Sequence, residues 1–289
     1  MSDRVMDPSS PYIVIKIGGA GVESKLGITT LAHAIRASSK AGFRCVVVHG
    51  GGQQLTELGE RLGIESTFVD GRRVTDDQLI LAAKMAFAGQ VGTDLAAGLW
   101  ANGIRAVSLS GVDAGMVRVR RKPPVAVLDS SGEKQLIDYG WVGDIEAVDQ
   151  VVIAALSHAG VTPLVASLGV DADGAVYNVN ADNIACAVAQ CLEAERLVLM
   201  TDVHGVYLDK DDPSTLIPQM TTEDIHRLTT NGQVSGGMLP KLGAVSRALT
   251  QGVQKIHMVS WQDRLAVEDA LCARVGRGTL FERKSSVTL

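Results

Sequence analysis

The 289-residue sequence has few aromatic residues and fewer basic than acidic residues, and each of these features excludes some classes of protein. Phe, Trp and Tyr make up 4% of the chain, so Val, Ile, Leu and Ala must supply most of a hydrophobic content of 46%. Aliphatic cores of this kind are typical of parallel sheets that helices cover on both faces. The formal net charge of −5 argues against nucleic acid as a partner.

Long apolar runs and paired cysteines are also missing. No run reaches the ~18 apolar residues of a membrane span, and the N-terminal residues lack the charged-then-apolar order of a signal peptide. The four cysteines show no metal-ligand spacing and lie among apolar residues, as buried free thiols do. We therefore expect a cytoplasmic protein without a membrane partner.

Several catalytic motifs are absent as well. The sequence contains neither the Walker pattern G-x-x-x-x-G-K-[ST] nor the G-x-S-x-G of serine hydrolases, and "GGAGVE" does not match the dinucleotide fingerprint G-x-G-x-x-G. The six histidines are scattered along the chain, so we expect no metal centre built from side chains.

What is present is a regular alternation of strand-like and helix-like segments. "YIVIKI" is followed by a helical stretch through "LAHAIRASSKAG" and then by "RCVVVHGGG", and the alternation continues to "VQKIHMVS". This order predicts an α/β fold with a mostly parallel sheet. Residues 116–140 and the stretch "VDADGAVYNVN" interrupt it and predict hairpins. We expect a boundary between two lobes near residues 185–195.

Glycine-rich turns follow three of the predicted strands, in "KIGGAG", "VVVHGGGQQ" and "LMTDVHG". Ligands of open α/β sheets bind beyond the carboxyl ends of the strands. Glycine lets backbone N–H groups approach an anion there, and the next helix N-terminus favours negative charge. Tight chain reversal is the better explanation of a single glycine turn, but two such turns after neighbouring strands, one of them beside a lysine, favour an anion site.

Two lysines occupy positions that are costly without a ligand. Lys16 ends an apolar strand, where an uncompensated buried ammonium costs several kcal/mol. Lys241, in "SGGMLPKL", falls in the first turn of a predicted helix, where a cation opposes the helix dipole by ~0.3–1 kcal/mol. A bound phosphate would offset both costs through its electrostatic attraction to the two ammonium groups. The alternatives are a buried salt bridge or an edge position for Lys16 and a solvated surface for Lys241.

The stretch "YNVNADN" concentrates polar side chains ahead of a predicted helix. If the strand runs to residue 180, Asn178 and Asn180 share one of its faces. Helix capping explains one of Asn180 and Asp182, but it does not explain three amide or acid side chains in five residues. Asp182 is placed to hold the two lysines, and Asn178 to bind a polar ligand group.

The stretch "DGRRVTDDQ" offers Arg72 and Arg73 just before a helix that Thr75 or Asp76 caps. One arginine in such a place can hold a carboxylate through two parallel hydrogen bonds. A solvated turn with ordinary capping explains the same residues equally well.

Taken in order, "VIKIGG", "VVHGGG", "DGRRVTD", "YNVNAD", "LMTDVHGVYLD" and "SGGMLPKL" resemble the amino acid kinase family over residues 12–281. The arginine before Val-Thr-Asp resembles the branch that acts on N-acetyl-L-glutamate. The resemblance implies an αβα sandwich with an open, mostly parallel central sheet. It implies an N-terminal lobe (1–190) for acetylglutamate binding and dimerisation and a C-terminal lobe (191–289) for ATP.

The activity that the resemblance implies is transfer of the γ-phosphoryl group of MgATP to the side-chain carboxylate of N-acetyl-L-glutamate, in arginine biosynthesis. Lys16 and Lys241 would stabilise the transferring group, Gly18 and Gly19 would donate N–H groups to it, and Asp182 would orient the lysines. The residues that would hold acetylglutamate are Gly51, Gly52, Arg73 and Asn178, with Arg73 on a carboxylate. The nucleotide pocket would comprise Thr201, Asp202, Gly205, Val206, Gly237 and Met238, and ATP phosphates would hold most of the Mg²⁺ coordination.

The sequence departs from the family pattern at Gly92-Thr93, where an Asn-Lys pair is usual, and at "SWQ" (260–262), where "DGR" is usual. Two other functions stay open. One is a related kinase that acts on an aminoadipate group attached to a carrier protein, against which "GRRVTD" argues. The other is an inactive sensor of arginine or nucleotide, against which retention of both lysines and Asp182 argues.

The resemblance also implies a homodimer, formed through the long helix predicted over residues 76–100 and adjoining strands. Arginine-sensitive members of the family are hexamers that an N-terminal helix joins together. The eleven residues before the first strand include two prolines and are too few for such a helix. We therefore expect a homodimer that arginine does not inhibit strongly, although "VGRGTLF" partly resembles the sensitive form.

Overall fold

A computed structural model describes residues 7, 9–128, 134–209, 211–234 and 238–283. Its helices are α1 (Gly19–Glu23), α2 (Lys25–Lys40), α3 (Gly52–Leu62), α4 (Asp77–Lys84), α5 (Gly92–Ala101), α6 (Val151–His158), α7 (Ala181–Cys191), α8 (Thr222–Thr230), α9 (Met238–Thr250) and α10 (Arg264–Leu271). A π-helical segment (Met85–Val91) joins α4 to α5, and short 3₁₀ turns lie at Asp113–Gly115 and Pro213–Thr215.

The strands alternate with these helices for most of the chain. They are β1 (Tyr12–Ile17), β2 (Arg44–His49), β3 (Phe68–Val69), β4 (Arg72–Arg73), β5 (Ala106–Ser110), β6 (Val117–Arg121), β7 (Val125–Leu128), β8 (Lys134–Ile137), β9 (Gly143–Val148), β10 (Thr162–Ala166), β11 (Leu168–Val170), β12 (Val176–Asn178), β13 (Arg196–Thr201), β14 (Val206–Tyr207), β15 (Leu216–Ile217), β16 (Gln219–Thr221), β17 (Lys255–Ser260) and β18 (Thr279–Glu282).

Within the described residues, one central sheet has the strand order β16-β18-β17-β13-β1-β2-β10-β5. Its neighbouring strands run parallel, except that β18 is antiparallel to β17. The predicted open, mostly parallel sheet is therefore confirmed. β1 lies between β13 and β2, and all six of its residues are buried.

The alternation of side chains along β1 feeds two separate cores. Tyr12 and Val14 pack into the core that α7 and α9 cover, while Ile13, Ile15 and Ile17 pack into the core on the α2, α5 and α10 side. Helices therefore cover both faces, as an αβα sandwich requires. Since side chains alternate with a period of two, the next residue on the first face is Lys16, which points toward α7 and α9.

A smaller sheet, with the order β12-β11-β6-β9, follows the predicted hairpins. The β11–β12 hairpin turns at Gly174, whose φ of +84° favours glycine, and β7 pairs with β8 in the excursion predicted over residues 116–140. The long helix predicted over residues 76–100 is formed by α4, the π-helical segment and α5. Asp76, rather than Thr75, caps it by accepting a 2.8 Å hydrogen bond from the Leu79 N–H.

The two departures from the family pattern both pack closely. A Cβ on Gly92 would lie 2.2 Å from Ser108 Oγ, so glycine lets the start of α5 approach β5. Trp261 is 8% exposed and lies against α1, where a Cβ on Gly21 would be 3.1 Å from its ring. Packing therefore accounts for Gly92 and Trp261, whereas Thr93 and Gln262 are exposed.

The strands before and after residue 190 occupy opposite halves of the central sheet. β1, β2, β10 and β5 form one half, β13, β17, β18 and β16 form the other, and α7 ends at Cys191. The division into lobes of 1–190 and 191–289 stays a prediction. Over the described ranges, no helix has the length and apolar character needed to cross a membrane.

Replacing Ile15 by Ala should lower the free energy of unfolding by about 2–5 kcal/mol, because Ile15 is 0% exposed in the central strand and truncation leaves a cavity. Leu136→Ala is the control, since that side chain is 69% exposed and surface truncation changes stability by about 0.5 kcal/mol or less. Urea denaturation measures both. Equal losses in the two variants would contradict the assigned sheet.

Candidate active site

Two lysines from distant parts of the chain share one buried carboxylate. Lys16 Nζ lies 2.8 Å from Asp182 Oδ1, and Lys241 Nζ donates a 3.2 Å hydrogen bond to Asp182 Oδ2. Lys16 is 6% exposed and Asp182 is 5% exposed. The structure thus brings together the three side chains that the sequence analysis placed around a phosphoryl group.

Local structure explains why each group points inward. Lys16 has the parity of Tyr12 and Val14 on β1, so it faces α7 and α9. Asp182 lies in the first turn of α7, where the helix dipole favours an acid. Lys241 lies near the start of α9, one turn after Met238.

The capping question at "YNVNADN" is settled by Asn180. Its side chain accepts a 3.0 Å hydrogen bond from the Asn183 N–H and caps α7, which leaves Asp182 to the lysines. β12 ends at Asn178, so the shared strand face considered for Asn178 and Asn180 does not form. The reason is that the Val179 N–H donates to Ser167 and residue 180 already belongs to the helix cap.

Burial and charge compete within this group of three. Burial raises the pKa of Asp182, but the charges of Lys16 and Lys241 outweigh burial and bring its pKa down to about 2. Burial lowers the pKa of Lys16, which Asp182 opposes and Lys241 reinforces. Two ammonium groups on one carboxylate leave an excess positive charge, which favours an anion such as a phosphoryl group.

A cleft of about 1420 Å³ opens beside the three charged side chains. Its walls include the first glycine turn (residues 18–19) after β1 and the second glycine turn (residues 50–52) after β2. The predicted site residues that line it are Lys16, Gly18, Gly19, Gly51, Gly52, Arg73, Asn178, Asp182 and Lys241. One cleft therefore holds both the predicted phosphoryl site and the predicted acetylglutamate site.

The two N–H groups of the first glycine turn differ in their hydrogen bonding. The Gly18 N–H donates a 3.1 Å hydrogen bond to the Met200 carbonyl at the end of β13. Gly19 begins α1, where the first N–H groups have no intrahelical acceptor. In this structure Gly19 is the better placed of the two to donate to an anion.

The second glycine turn packs directly on the π-helical segment. A Cβ on Gly51 would lie 2.7 Å from Phe87 Cδ1, so no side chain fits at that position. Phe87 is 3% exposed and also lines the cleft. Sequence reasoning missed it, because an apolar residue in an amphipathic helix gives no signal of a site, although π-helical turns are frequent at functional sites.

Arg73 is held at the second glycine turn. Its Nη2 donates to the Gly52 carbonyl and to the Thr56 hydroxyl, both at 2.8 Å, and its Nη1 donates to the Ser66 hydroxyl. Its guanidinium lies 4.5 Å from the centre of the Phe68 ring, a second aromatic residue of the cleft that sequence reasoning missed. Burial lowers the pKa of Arg73. These contacts fix a positive charge beside the turn.

Asn178 reaches the cleft from the end of β12. Its Nδ2 donates a 3.1 Å hydrogen bond to the hydroxyl of Thr75, and its backbone N–H donates to Trp141 at 2.9 Å. Residues just before α4 and just before β9 therefore hold Asn178 in place.

Of the residues predicted for the nucleotide, Thr201, Asp202, Gly205 and Val206 lie at the end of β13 and in the turn to β14, and they do not line the cleft that holds the lysines. The Thr201 hydroxyl donates to the Val203 carbonyl at 2.8 Å, and the Val206 N–H donates to Thr279 Oγ1 at 2.9 Å. A Cβ on Gly205 would lie 2.5 Å from the same oxygen. Asp202 is exposed, Met238 begins α9, and Gly237 lies outside the described residues. Their role in nucleotide binding stays a prediction.

Comparison with known proteins agrees with this geometry. A sequence model of the amino acid kinase family matches residues 11–260, so the chain belongs to the amino acid kinase family. Its relatives include the acetylglutamate kinase of Symbiobacterium thermophilum, 41% identical over 87% of this chain and 84% of its own. The acetylglutamate kinase of Myxococcus xanthus is 40% identical over 94% of this chain and 89% of its own. These relatives support neither the carrier-protein kinase nor the inactive sensor.

Solved structures share the fold at lower identity. The N-acetylglutamate synthase of Neisseria gonorrhoeae, complexed with coenzyme A and N-acetyl-glutamate, has a TM-score of 0.78 at 24% identity and covers 96% of this chain and 60% of its own. The carbamate kinase of Giardia has a TM-score of 0.68 at 16% identity and covers 96% of this chain and 100% of its own. The predicted fold class is therefore confirmed.

Replacing Asp182 by Asn should cost about 3–5 kcal/mol of folding free energy at pH 7, because it leaves two ammonium groups without their carboxylate. The folded pKa of Asp182 is lowered to about 2, so its stabilisation is complete above pH ~4 and is lost as pH falls toward 2. The gap between wild type and Asp182→Asn should therefore narrow in urea unfolding as pH falls from 7 to 3. Exposed Glu60→Gln is the control, and a gap that is constant with pH would contradict the assigned charge state.

Proposed function

We propose that this chain transfers the γ-phosphoryl group of ATP to the side-chain carboxylate of N-acetyl-L-glutamate, giving N-acetyl-L-glutamyl 5-phosphate and ADP for arginine biosynthesis. The observation that carries the proposal is the Lys16–Asp182–Lys241 group, which lies in one cleft with both glycine turns. The choice of N-acetyl-L-glutamate as the substrate rests on the relatives named acetylglutamate kinase, at 41% and 40% identity.

The reaction needs charge stabilisation rather than a base. The acceptor carboxylate is already deprotonated at neutral pH, so one of its oxygens attacks the γ-phosphorus without losing a proton. A new P–O bond forms while the bond from that phosphorus to the bridging oxygen of ADP breaks. Negative charge on the transferring group and the leaving oxygen is then stabilised by Lys16 and Lys241, and Asp182 holds their ammonium groups in place.

Each glycine turn would contact a different substrate: the first the transferring phosphoryl group of ATP, and the second acetylglutamate. The first turn would direct N–H groups at the transferring group, mainly from Gly19, while Gly51, Gly52 and Asn178 would hold acetylglutamate. Arg73 would place its positive charge near a substrate carboxylate. ATP phosphates and water would hold Mg²⁺, which supplies further charge neutralisation. The described residues offer no group of three His, Cys, Asp or Glu that could hold a metal ion.

We assign the two substrates to the two halves of the central sheet. ATP would lie on the C-terminal lobe (191–289), near Thr201, Asp202, Gly205, Val206, Gly237 and Met238, and acetylglutamate on the N-terminal lobe (1–190). The protein would act in the cytoplasm, which suits its four free cysteines.

A homodimer would form through α4, the π-helical segment and edge strand β5. This surface exposes the apolar side chains of Leu81, Met85 and Val107.

A coupled assay of ADP release tests the substrate. The protein should turn over N-acetyl-L-glutamate and leave unacetylated L-glutamate nearly untouched, because Arg73 places a positive charge beside the second glycine turn that would repel a free ammonium group on the substrate. Aspartate, carbamate and N-acetyl-aminoadipate complete the panel. Equal rates with glutamate and acetylglutamate, or turnover with a carrier-bound substrate alone, would rule out the proposal.

Lys16→Ala and Lys241→Ala should each lower kcat by about 10²–10³ while raising KM far less, because their charges are needed most as the phosphoryl group leaves ATP. Lys40→Ala is the matched control, since Lys40 is exposed at the end of α2 and should keep wild-type kinetics. Steady-state kinetics of ADP release measure all three variants. A kcat near wild type in either test variant would make that lysine structural.

A further inference from the structure

Gln54 lies on α3, and its side chain is 2% exposed. It shares the apolar stripe of this helix with Leu55, Leu58 and Gly59. Burying an amide costs free energy unless it has hydrogen-bond partners. The glutamine lies on this stripe two residues after the second glycine turn. The proposed reaction gives it no role, so its burial needs another explanation.

The amide of Gln54 bridges α3 to α1. Its Nε2 donates a 2.6 Å hydrogen bond to Glu23 Oε1 and a 3.3 Å hydrogen bond to the Gly19 carbonyl. These two acceptors fix the orientation of the amide, since its oxygen in the same place would face two other oxygens. Oε1 is buried without a hydrogen-bond partner among the described residues, and a Cβ on Gly19 would lie 3.6 Å from it.

Helix α1 depends on such contacts. It has five residues, which is too short for a helix to be stable by itself. On one side it sits directly on α2, because a Cβ on Gly27 would lie 2.1 Å from the Gly21 carbonyl oxygen. On the α3 side, the polar bridge from Gln54 holds both its first and its last residue.

We propose that Gln54 is a positioning residue for phosphoryl transfer, which fixes α1 and the first glycine turn relative to the second glycine turn. The inference rests on the proposed function, in which the first turn contacts the phosphoryl group and the second contacts acetylglutamate. Reacting atoms must lie about 3–3.5 Å apart and be aligned. The relative placement of the two turns therefore affects the rate more than the affinity for either substrate.

Gln54→Met removes the bridge and keeps a side chain of similar length. It should lower kcat about 10- to 100-fold and change KM for ATP and acetylglutamate by about threefold or less. Gln53→Met is the matched control, because Gln53 is exposed and bonds Glu57 on the same helix at 3.1 Å. A kcat of Gln54→Met equal to that of Gln53→Met, or a loss confined to KM, would overturn the proposal, even if the variant were less stable.

Glu23→Ala gives a second test if Gln54→Met does not fold. Glu23 is exposed, so its truncation leaves the core intact while removing one acceptor of the bridge. We expect a smaller fall in kcat, about 3- to 10-fold, again with little change in KM. Wild-type kinetics in Glu23→Ala would contradict the bridge.

Amide hydrogen exchange of the ligand-free protein tests the bridge without any substrate. Exchange of α1 should be about tenfold faster in Gln54→Met than in wild type or Gln53→Met, since a less firmly held element opens more often. Unchanged exchange would overturn the proposal. If the wild type fails to phosphorylate acetylglutamate but α1 exchanges faster in the variant, the assigned substrate is wrong while the bridge is confirmed.

Discussion

The site depends on one buried carboxylate that holds two ammonium groups in place. Lys16 and Lys241 would repel each other strongly in a poorly solvated site, and Asp182, 2.8 Å and 3.2 Å from them, removes most of that repulsion. The carboxylate does not cancel both charges, so an anion is still attracted. The arrangement requires β1 in the middle of the sheet and α7 and α9 on the same face. The fold thus allows the buried Lys16 and the half-buried Lys241 to share one carboxylate.

The position of the cleft follows from parallel strands. β1 and β2 run side by side, so their glycine turns emerge at the same edge of the sheet, beside the first turn of α7. Close packing then sets the shape of each turn. Phe87 packs against Gly51, α2 packs against α1, and the Gln54 amide links α3, which follows the second turn, to α1. Rigid support of this kind suits a reaction that relies on placement rather than on a base.

The fold alone does not identify the substrate. Proteins named carbamate kinase and N-acetylglutamate synthase share this architecture at 16% and 24% identity. Function lies in the site that a fold carries. In this chain the second glycine turn, Arg73 and Asn178 line the cleft, and Gly52 and Thr56 fix Arg73 there. Under the proposed function, these residues would select the substrate. Under the proposed function, the Lys16–Asp182–Lys241 group would also stabilise the transferring phosphoryl group, whichever acceptor binds in the cleft.

The sequence by itself determined the αβα class, the hairpins, the long helix and nine of the residues that line the cleft, but not Phe68 or Phe87. These features follow from local periodicity, turn residues and short motifs, which act over a few positions. The sequence also predicted that Asp182 holds Lys16 and Lys241, and the tertiary structure supplied the distances of 2.8 Å and 3.2 Å. Only the tertiary structure decided that the Gly18 N–H donates to Met200 and that Gln54 joins α1 to α3. It also ended β12 at Asn178 and placed Phe87 on Gly51. Contacts between residues far apart in the chain depend on how strands register and helices pack, and no local pattern in a sequence records those distances.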